Sequence, residues 1–302
     1  MNLRTNLLLA AYKLFPFPLE GSAEIEYEDL DYDISCVINF YGRVNILKNV
    51  LYSLAEQDFP RERFEVILVE DRGGTGEGKE ISDVFKPKLQ NVRYFSLSEK
   101  HGQMGYSRNY GLSKAKGRLV LFLDDDTVIL QRDFLTNLVE EFKDSGADAV
   151  IPRGTASYCL LEGKYCYHQP YFPTNRCMAY RRDVLKELKG FVSEMTGQED
   201  VEFVVRFIAS GRKFFQSNRL NYLHPPLIMT NSNKARAVGS SFAKLRHRYP
   251  LIIWLMLLAN GSRYLPLLLF PISQKLRMQG RFSLGFLLGV FYSMIGRKIE
   301  YN

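Results

Sequence analysis

Acidic residues nearly vanish from the last third of this chain. From Val204 to the end the only carboxylate side chain is Glu300, against 15 Lys and Arg. The first 203 residues hold the other 25 bases against 32 acids. A mildly acidic body with a basic tail predicts an anionic partner for the tail, either nucleic acid or a lipid surface. The tail is also strongly apolar, which favours lipid. Cysteine is scarce. Cys36, Cys159, Cys166 and Cys177 form no C-x-x-C pair, and no His stands at zinc-finger spacing, so nothing points to a zinc module. They read as reduced thiols of a cytosolic compartment, with Cys36 in the core. Long uninterrupted apolar runs are missing too. Blocks 251–259, 264–272 and 282–295 all fall short of the roughly 18 residues of a clean span, and Arg263, Pro266 and Pro271 interrupt the first two. Interfacial or re-entrant helices fit them better than a crossing. There are no repeats and no low-complexity tracts. With 46% hydrophobic and 24% charged residues, the composition is that of a folded protein.

What is present is organised around residues 118–127, RLVLFLDDDT. Five consecutive apolar residues read as a strand buried on both faces. Three adjacent carboxylates cannot follow it into the sheet, because unpaired buried charge is costly. Asp124, Asp125 and Asp126 are therefore expected at the carboxyl edge, where open α/β sheets bind ligands. Side chains alternate along a strand, so Asp124 and Asp126 can face one way and Asp125 the other. Two carboxylates that close call for a cation, and hard oxygen ligands suit magnesium or manganese. A solvated acidic turn is the other reading of the same three residues.

Around this centre, 34–40 and 64–69 read as further buried strands and 92–97 as a weaker one. Helical spacing marks 44–54, 104–115, 131–143 and 199–210, with a short strand expected at 213–217. Strands alternating with helices imply an α/β fold with a mostly parallel sheet covered on both faces. Residues 2–15 place Leu3, Leu7, Ala10, Ala11 and Leu14 on one helical face. That predicts an amphipathic helix lying on a membrane or on the tail.

Three further spots carry chemical possibilities. GGTGEGK at 73–79 fits G-x-x-x-x-G-K, but Glu80 stands where a P-loop needs a hydroxyl on magnesium. A P-loop-like ATPase using Lys79 is thus a weak rival to a flexible glycine-rich turn. Thr196 and Glu199 have capping-box spacing, and Asp200 suits either the first turn of a helix or a general base aimed into the cleft. His224, between Leu223 and Pro225, is either structural or a third ligand beside the two aspartates.

Five blocks in order resemble one family: DISCVINFYGRVNILKNVLYSLAEQ, FEVILVEDRG, YSRNYGLSKAKGRLVLFLDDD, TNRCMAYRRDVLKELKGF and GQEDVEFVVRFIASGRKF. Together, over about residues 33–225, they look like family 2 glycosyltransferases of the GT-A fold. The resemblance implies a nucleotide-sugar donor whose base is read by Asp71, whose ribose lies near Asp124 and whose diphosphate is approached by Arg108. It also implies a manganese or magnesium ion on Asp126 and His224, and Asp200 as catalytic base. The implied enzyme is an inverting hexosyltransferase. The absence of a Q-x-x-R-W block after Asp200 argues against processive synthesis. EDRGGTG in place of D-D-G-S-x-D and KGFVSE in place of G-G-F-D-E depart from the family pattern on the base and acceptor sides. A non-catalytic membrane scaffold of the same fold is the remaining rival. The expected organisation is an N-terminal helix and linker (1–32), a GT-A catalytic domain (33–228) and a C-terminal amphipathic helical membrane-associated region (229–302). The expected partners are a nucleotide sugar, a glycan or lipid-linked acceptor and an anionic membrane surface, with no nucleic acid. The expected setting is polysaccharide biosynthesis on the cytoplasmic face of the cell membrane.

Overall fold

The computed structural model of the protein describes residues 3–25, 31–72, 76–158, 161–166, 174–225, 232–269, 274–297 and 299. The chain runs through α1 (Leu3–Leu14), β1 (Tyr32–Phe40), α2 (Val44–Ala55), β2 (Phe64–Glu70), α3 (Glu77–Leu89), β3 (Val92–Ser96), α4 (Met104–Lys114) and β4 (Gly117–Asp124). It continues through α5 (Phe134–Ser145), β5 (Ala149–Tyr158), β6 (Leu161–Cys166), β7 (Cys177–Arg181), α6 (Arg182–Glu187), α7 (Glu199–Ala209) and β8 (Phe214–His224). Helices α8 (Asn233–Lys244), α9 (Leu251–Ser262) and α10 (Gln274–Met294) close it.

One eight-stranded sheet has the order β3-β2-β1-β4-β7-β5-β6, with β8 beside β5. The first four strands are parallel, as their continuous apolar runs predict. Beyond β4 the sheet turns mixed: β7 is antiparallel to β4 and to β5, while β8 is parallel to β5. The strand expected at 213–217 extends to His224, and its pairing with β5 shifts register between Ile151 and Arg153. Pro152 falls at that shift, where a missing N–H does least harm.

Each face of the sheet has its own core. Leu47, Leu51 and Leu54 of α2, Phe85 of α3 and Phe134 and Leu138 of α5 pack on one side. Leu112 of α4, Leu185 of α6, and Phe203 and Phe207 of α7 pack on the other. A third core lies outside the sheet. There Val201, Val204 and Val205 of α7 meet Leu8 of α1, Val238 and Phe242 of α8, Trp254 and Leu257 of α9, and Phe286 of α10. Helix α7 is thus buried all round, with the sheet on one side and the tail on the other. Glu202 and Arg206 fasten that junction. Both are fully buried and paired at 2.8 Å, Tyr249 donates its hydroxyl to Glu202, and Arg206 also donates to the carbonyls of Leu19, Leu188 and Gly190. Helices α8 and α10 approach so closely that a Cβ on Gly239 would meet the carbonyl oxygen of Phe286.

One expectation about a helix face changes. In α1 it is Leu8 that is buried, while Leu7 is 61% and Leu14 74% exposed. The core-facing stripe is therefore rotated away from the one read in the sequence, because the tail supplies the partner surface. The break expected at Arg263 is present, α9 ending at Ser262 with Arg263 as its C-cap and a separate 3-10 turn following at Leu265–Leu268. Leu251–Leu268 forms one stretch long and apolar enough to cross a membrane by length and composition, with 28% of it buried.

Candidate active site

The cleft opens at the carboxyl edge of β1, β2 and β4. Asp124 is the last residue of β4, opposite Asn39 of β1. A turn closed by the Thr127 N–H donating to the Asp124 carbonyl, at 3.1 Å, brings Asp126 back to the side of Asp124. His224 reaches the same place from the far end of the sheet. Val128 and Leu223 exchange two backbone hydrogen bonds of 2.9 and 2.8 Å, and this bridge lays the end of β8 against the turn. His224 Nε2 then lies 3.0 Å from Asp126 Oδ1 and 3.4 Å from Asp124 Oδ2. The three ligand atoms fall within 4.8 Å of one another.

The atoms turned away from this point are held as well. Arg108 of α4 ion-pairs with Asp124 Oδ1 at 3.1 Å. Arg43, before α2, bonds Asp126 Oδ2 at 2.8 Å and lies 3.5 Å from Asp125. His224 Nδ1 lies 2.6 Å from the Pro225 carbonyl, which accepts its proton and leaves Nε2 for the aspartates. Two carboxylates and an imidazole, each fixed on its outer side, suit a divalent cation such as manganese or magnesium. In the metal-free protein a proton does that work. Burial pulls the His224 imidazole down, but its hydrogen bonds to Asp124 and Asp126 prevail and push it up to about 9. Burial pushes the Asp124 carboxyl up, yet His224 and Arg108 hold it well below the usual carboxylate range. Asp126 is lowered in the same way, burial being outweighed mainly by His224. Asp125 lacks that help: burial carries it up to about 7, Arg43 opposing and its two neighbours adding to the rise.

Arg108, expected on a diphosphate, borders the cleft and holds two carboxylates there. It is 5% exposed, and its Nε lies 2.7 Å from Glu199 while its Nη2 holds Asp124. The capping box read at Thr196 and Glu199 does not form. The N-cap of α7 is Gln198, in a left-handed conformation (φ 58°) with no side-chain cap, and Glu199 serves Arg108. Burial raises the Glu199 carboxyl, Arg108 opposing and Asp200 adding to the rise. Asp200 sits in the first turn of α7, where its Oδ2 accepts the Asn175 N–H at 2.9 Å. It lines a cleft of about 310 Å3 that also takes in Arg108, Asp124, Arg176, Gln198, Glu199 and several tail residues. Asp71 follows β2 and lies two strands from β4, roughly 10 Å at the usual spacing. Its carboxylate accepts the Gly102 N–H at 2.7 Å and faces His101 at 3.1 Å. Lys79 lies on α3 and pairs with Asp83 at 2.7 Å, so it is engaged within its own helix; residues 73–75 of the glycine-rich stretch lie outside the described residues.

Arg43 was not singled out in the sequence. Its signal is faint: the residue after Gly42 where a parallel strand hands over to a helix. Both Gly42 and Arg43 are left-handed (φ 57° and 53°), which is uncommon for arginine.

Residues 35–159 match the sequence model of glycosyl transferase family 2. A probable glycosyltransferase of Sulfolobus acidocaldarius is 23% identical over 240 residues, 71% of this chain and 51% of its own length. The poly(ribitol-phosphate) beta-N-acetylglucosaminyltransferase TarS of Staphylococcus aureus is 36% identical over 95 residues, 32% of this chain and 16% of its own. The chain thus spans about half of the first relative and a small part of the second. The mannosyltransferase PcManGT of Pyrobaculum calidifontis, solved with GDP-Man and Mn2+, superposes with a TM-score of 0.62 at 15% identity, over 97% of this chain and 95% of that one. The matched residues, 35–159, carry the strands and turns that hold Asp71, Arg108 and the three aspartates along one edge, and over them the chain is similar to glycosyl transferase family 2, on a GT-A fold.

Proposed function

We propose that this protein is an inverting, metal-dependent, non-processive hexosyltransferase that moves a sugar from a nucleotide sugar to a hydroxyl of a glycan or lipid-linked acceptor. The observation that carries this is the Asp124–Asp126–His224 cluster at the edge of the cleft that Asp200 also lines. Support comes from the family and from the structural neighbour's GDP-Man and Mn2+. In this reading Asp71 binds the base, Asp124 the ribose, and Asp126 with His224 the metal. Manganese or magnesium bound there supplies Lewis-acid charge for the departing diphosphate. Arg108 holds Asp124 in place and adds positive charge behind the site. Asp200 takes the proton of the acceptor hydroxyl as its oxygen attacks the anomeric carbon from the side opposite the diphosphate. The new C–O bond forms as the bond to the diphosphate breaks, so one displacement inverts the centre and no protein nucleophile is needed.

The reading keeps the division into 1–32, 33–228 and 229–302, and sets the enzyme on the cytoplasmic membrane face for cell-envelope polysaccharide synthesis. Exposed apolar side chains support the membrane part: Leu251, Ile252 and Leu255 share one face of α9, and Leu284 and Phe291 one face of α10. The basic tail suits anionic lipid, each Lys or Arg near the surface contributing about 1 kcal/mol. Flotation on anionic liposomes tests this, and protein that stays below the lipid at low salt refutes it. For the chemistry, a thermal-shift panel of UDP- and GDP-sugars with manganese should show one stabilising donor, about 2.7 kcal/mol at a hundredfold excess over Kd. The stabilisation and the sugar transfer should both vanish in chelator. Transfer that survives chelator sinks the metal assignment.

A further inference from the structure

The wall of the cleft beyond Asp200 is made by the tail. Lys234 of α8, Asn260 and Arg263 at the end of α9, Tyr264, and Gln279 and Phe282 of α10 line it. These groups are unlike those at the sheet edge. Among the described residues neither Lys234 nor Arg263 has a carboxylate within ion-pair distance, and the tail has no acid of its own before Glu300. Arg263 spends one nitrogen on Asn260, at 2.6 Å to its carbonyl and 2.9 Å to its side-chain oxygen. Its guanidinium lies 4.5 Å from the centre of the Tyr264 ring. The rest of that planar fork has no partner among the described residues.

Two amides in the same wall are also short of partners. Gln198 Oε1 and Gln279 Oε1 are both buried with no hydrogen bond. Buried polar atoms are rarely left so, and an unexplained one asks for a ligand or a water. Gln198 holds its place at the cost of a left-handed backbone, the kind of local strain that gathers at binding sites. A Cβ on the preceding Gly197 would press on Val238 of α8, so this turn sits directly against the tail. Hydroxyl groups, which donate and accept, suit both amides. Aromatic faces suit the apolar side of a sugar ring, and unpaired cations suit an anion.

We propose that the tail builds the acceptor subsite, and that the acceptor is polyhydroxylated and carries a phosphate held by Lys234 and Arg263. This rests on the glycosyltransferase reading and deepens it. The donor's diphosphate belongs with Asp124, Asp126 and His224; Lys234 is near enough to hold the Asp125 carboxyl down somewhat, but among the described residues neither it nor Arg263 is in an ion pair, so both are left for the second substrate. Asp200, on the helix that the tail packs against, stands between the two.

The test uses two forms of one hexose, glucose 6-phosphate and methyl glucoside, as binding probes by titration calorimetry. The full-length protein is first saturated with UDP or GDP and manganese, so that the donor site is filled. Glucose 6-phosphate should bind more tightly than methyl glucoside, and the difference should shrink with salt. The double variant Lys234→Gln/Arg263→Gln should weaken glucose 6-phosphate roughly tenfold and leave the nucleoside diphosphate Kd unchanged. Arg263→Lys should restore part of the loss, and a melting curve checks that each variant is folded. Dodecyl phosphate in neutral micelles forms the second arm: direct binding of it, lost in the double variant and with no binding of the soluble probe, supports the proposal with a lipid phosphate as the source of charge. Equal or absent binding of both hexoses together with no binding of dodecyl phosphate overturns it. So does a double variant that loses the nucleoside diphosphate instead, because the cations then serve the donor. A wild-type protein that binds neither UDP nor GDP sinks the glycosyltransferase reading itself, a result distinct from either.

Discussion

Asp124 and Arg263 line the same cleft, yet they are held in opposite ways. Asp124 has Arg108 on one oxygen and His224 on the other. Its neighbour Asp126 is likewise spoken for on both sides, by Arg43 and His224. Arg263 has one nitrogen engaged and, among the described residues, no carboxylate within ion-pair distance. The sheet edge is a preorganised constellation whose fixed partners set ligand geometry in advance. The tail wall offers charge and hydrogen-bonding capacity that its own chain does not use. A site that performs one chemistry on varied acceptors gains from this split, since the reacting groups stay fixed while recognition varies on separate helices.

The comparison breaks first if the tail is merely an appendage. Arg206 tests that, because it joins α7 to the linker while its partner Glu202 accepts from Tyr249 of the tail. Arg206→Ala leaves Glu202 buried without its cation, a loss of about 3–5 kcal/mol. Thermal or urea unfolding should show body and tail destabilised together in one transition. Two separate transitions, with the body unmoved, show that the tail is independent.

Next in size is the proposed base. Asp200→Asn should lower transfer about a hundredfold or more, with donor binding kept, because Asp200 faces the cleft from α7 and holds only backbone N–H groups. Donor Kd by calorimetry and turnover by product assay separate the two effects. Turnover near the wild-type rate moves the base to another residue.

The sheet half was legible because its signals are local. Runs such as 119–123 suggest a strand buried on both faces, and unpaired acids that follow cannot enter the sheet with it. The strand at 64–70, the stop at Gly146 and the helix starting at Glu199 follow from equally short patterns. The second half of the sheet was not legible, for reasons seen in its residues. Strand β5 carries Pro152 and Gly154, and β7 is five residues long. Their places depend on partners far away in sequence. The same holds within the site. Arg43 meets Asp126 across 83 positions, and the pairing of Arg108 with Glu199 depends on where α7 packs. The sequence pattern of α1 suggested one apolar face, but the face that is buried was decided by the tail folded over it.

Arg43 sharpens the contrast between the halves, being the one half-exposed support at the preorganised edge, its side chain 48% exposed. Arg43→Gln leaves Asp126 Oδ2 without its cation and frees the carboxylate to turn. Manganese affinity should fall about tenfold, the lower end for loss of a group that orients a ligand, and Arg43→Lys should recover part of it. Calorimetry with manganese alone reads this without any turnover. Unchanged affinity in Arg43→Gln means that Arg108 and His224 suffice to fix the edge.

The last test asks whether the edge is poised for a metal or for a proton. The His224 imidazole is raised from 6.5 to about 9 by Asp124 and Asp126, against the pull of burial. A group raised in the fold binds its proton more tightly there than in the unfolded chain. In chelator, its contribution to stability is therefore fully present below about pH 6.5 and is lost as pH rises through about 9. A metal needs the same Nε2 lone pair, so binding must expel that proton. Manganese affinity should then climb with pH from 6.5 to 9, approaching tenfold per unit, and level off above. At pH 7.5, calorimetry in two buffers of different ionisation enthalpy should report about one proton released per metal bound. His224→Gln should abolish both the release and the slope, since an amide carries no such proton. An affinity in the wild type that stays flat from pH 6.5 to 9 removes His224 from the metal and leaves it as the permanent cation of the acidic edge.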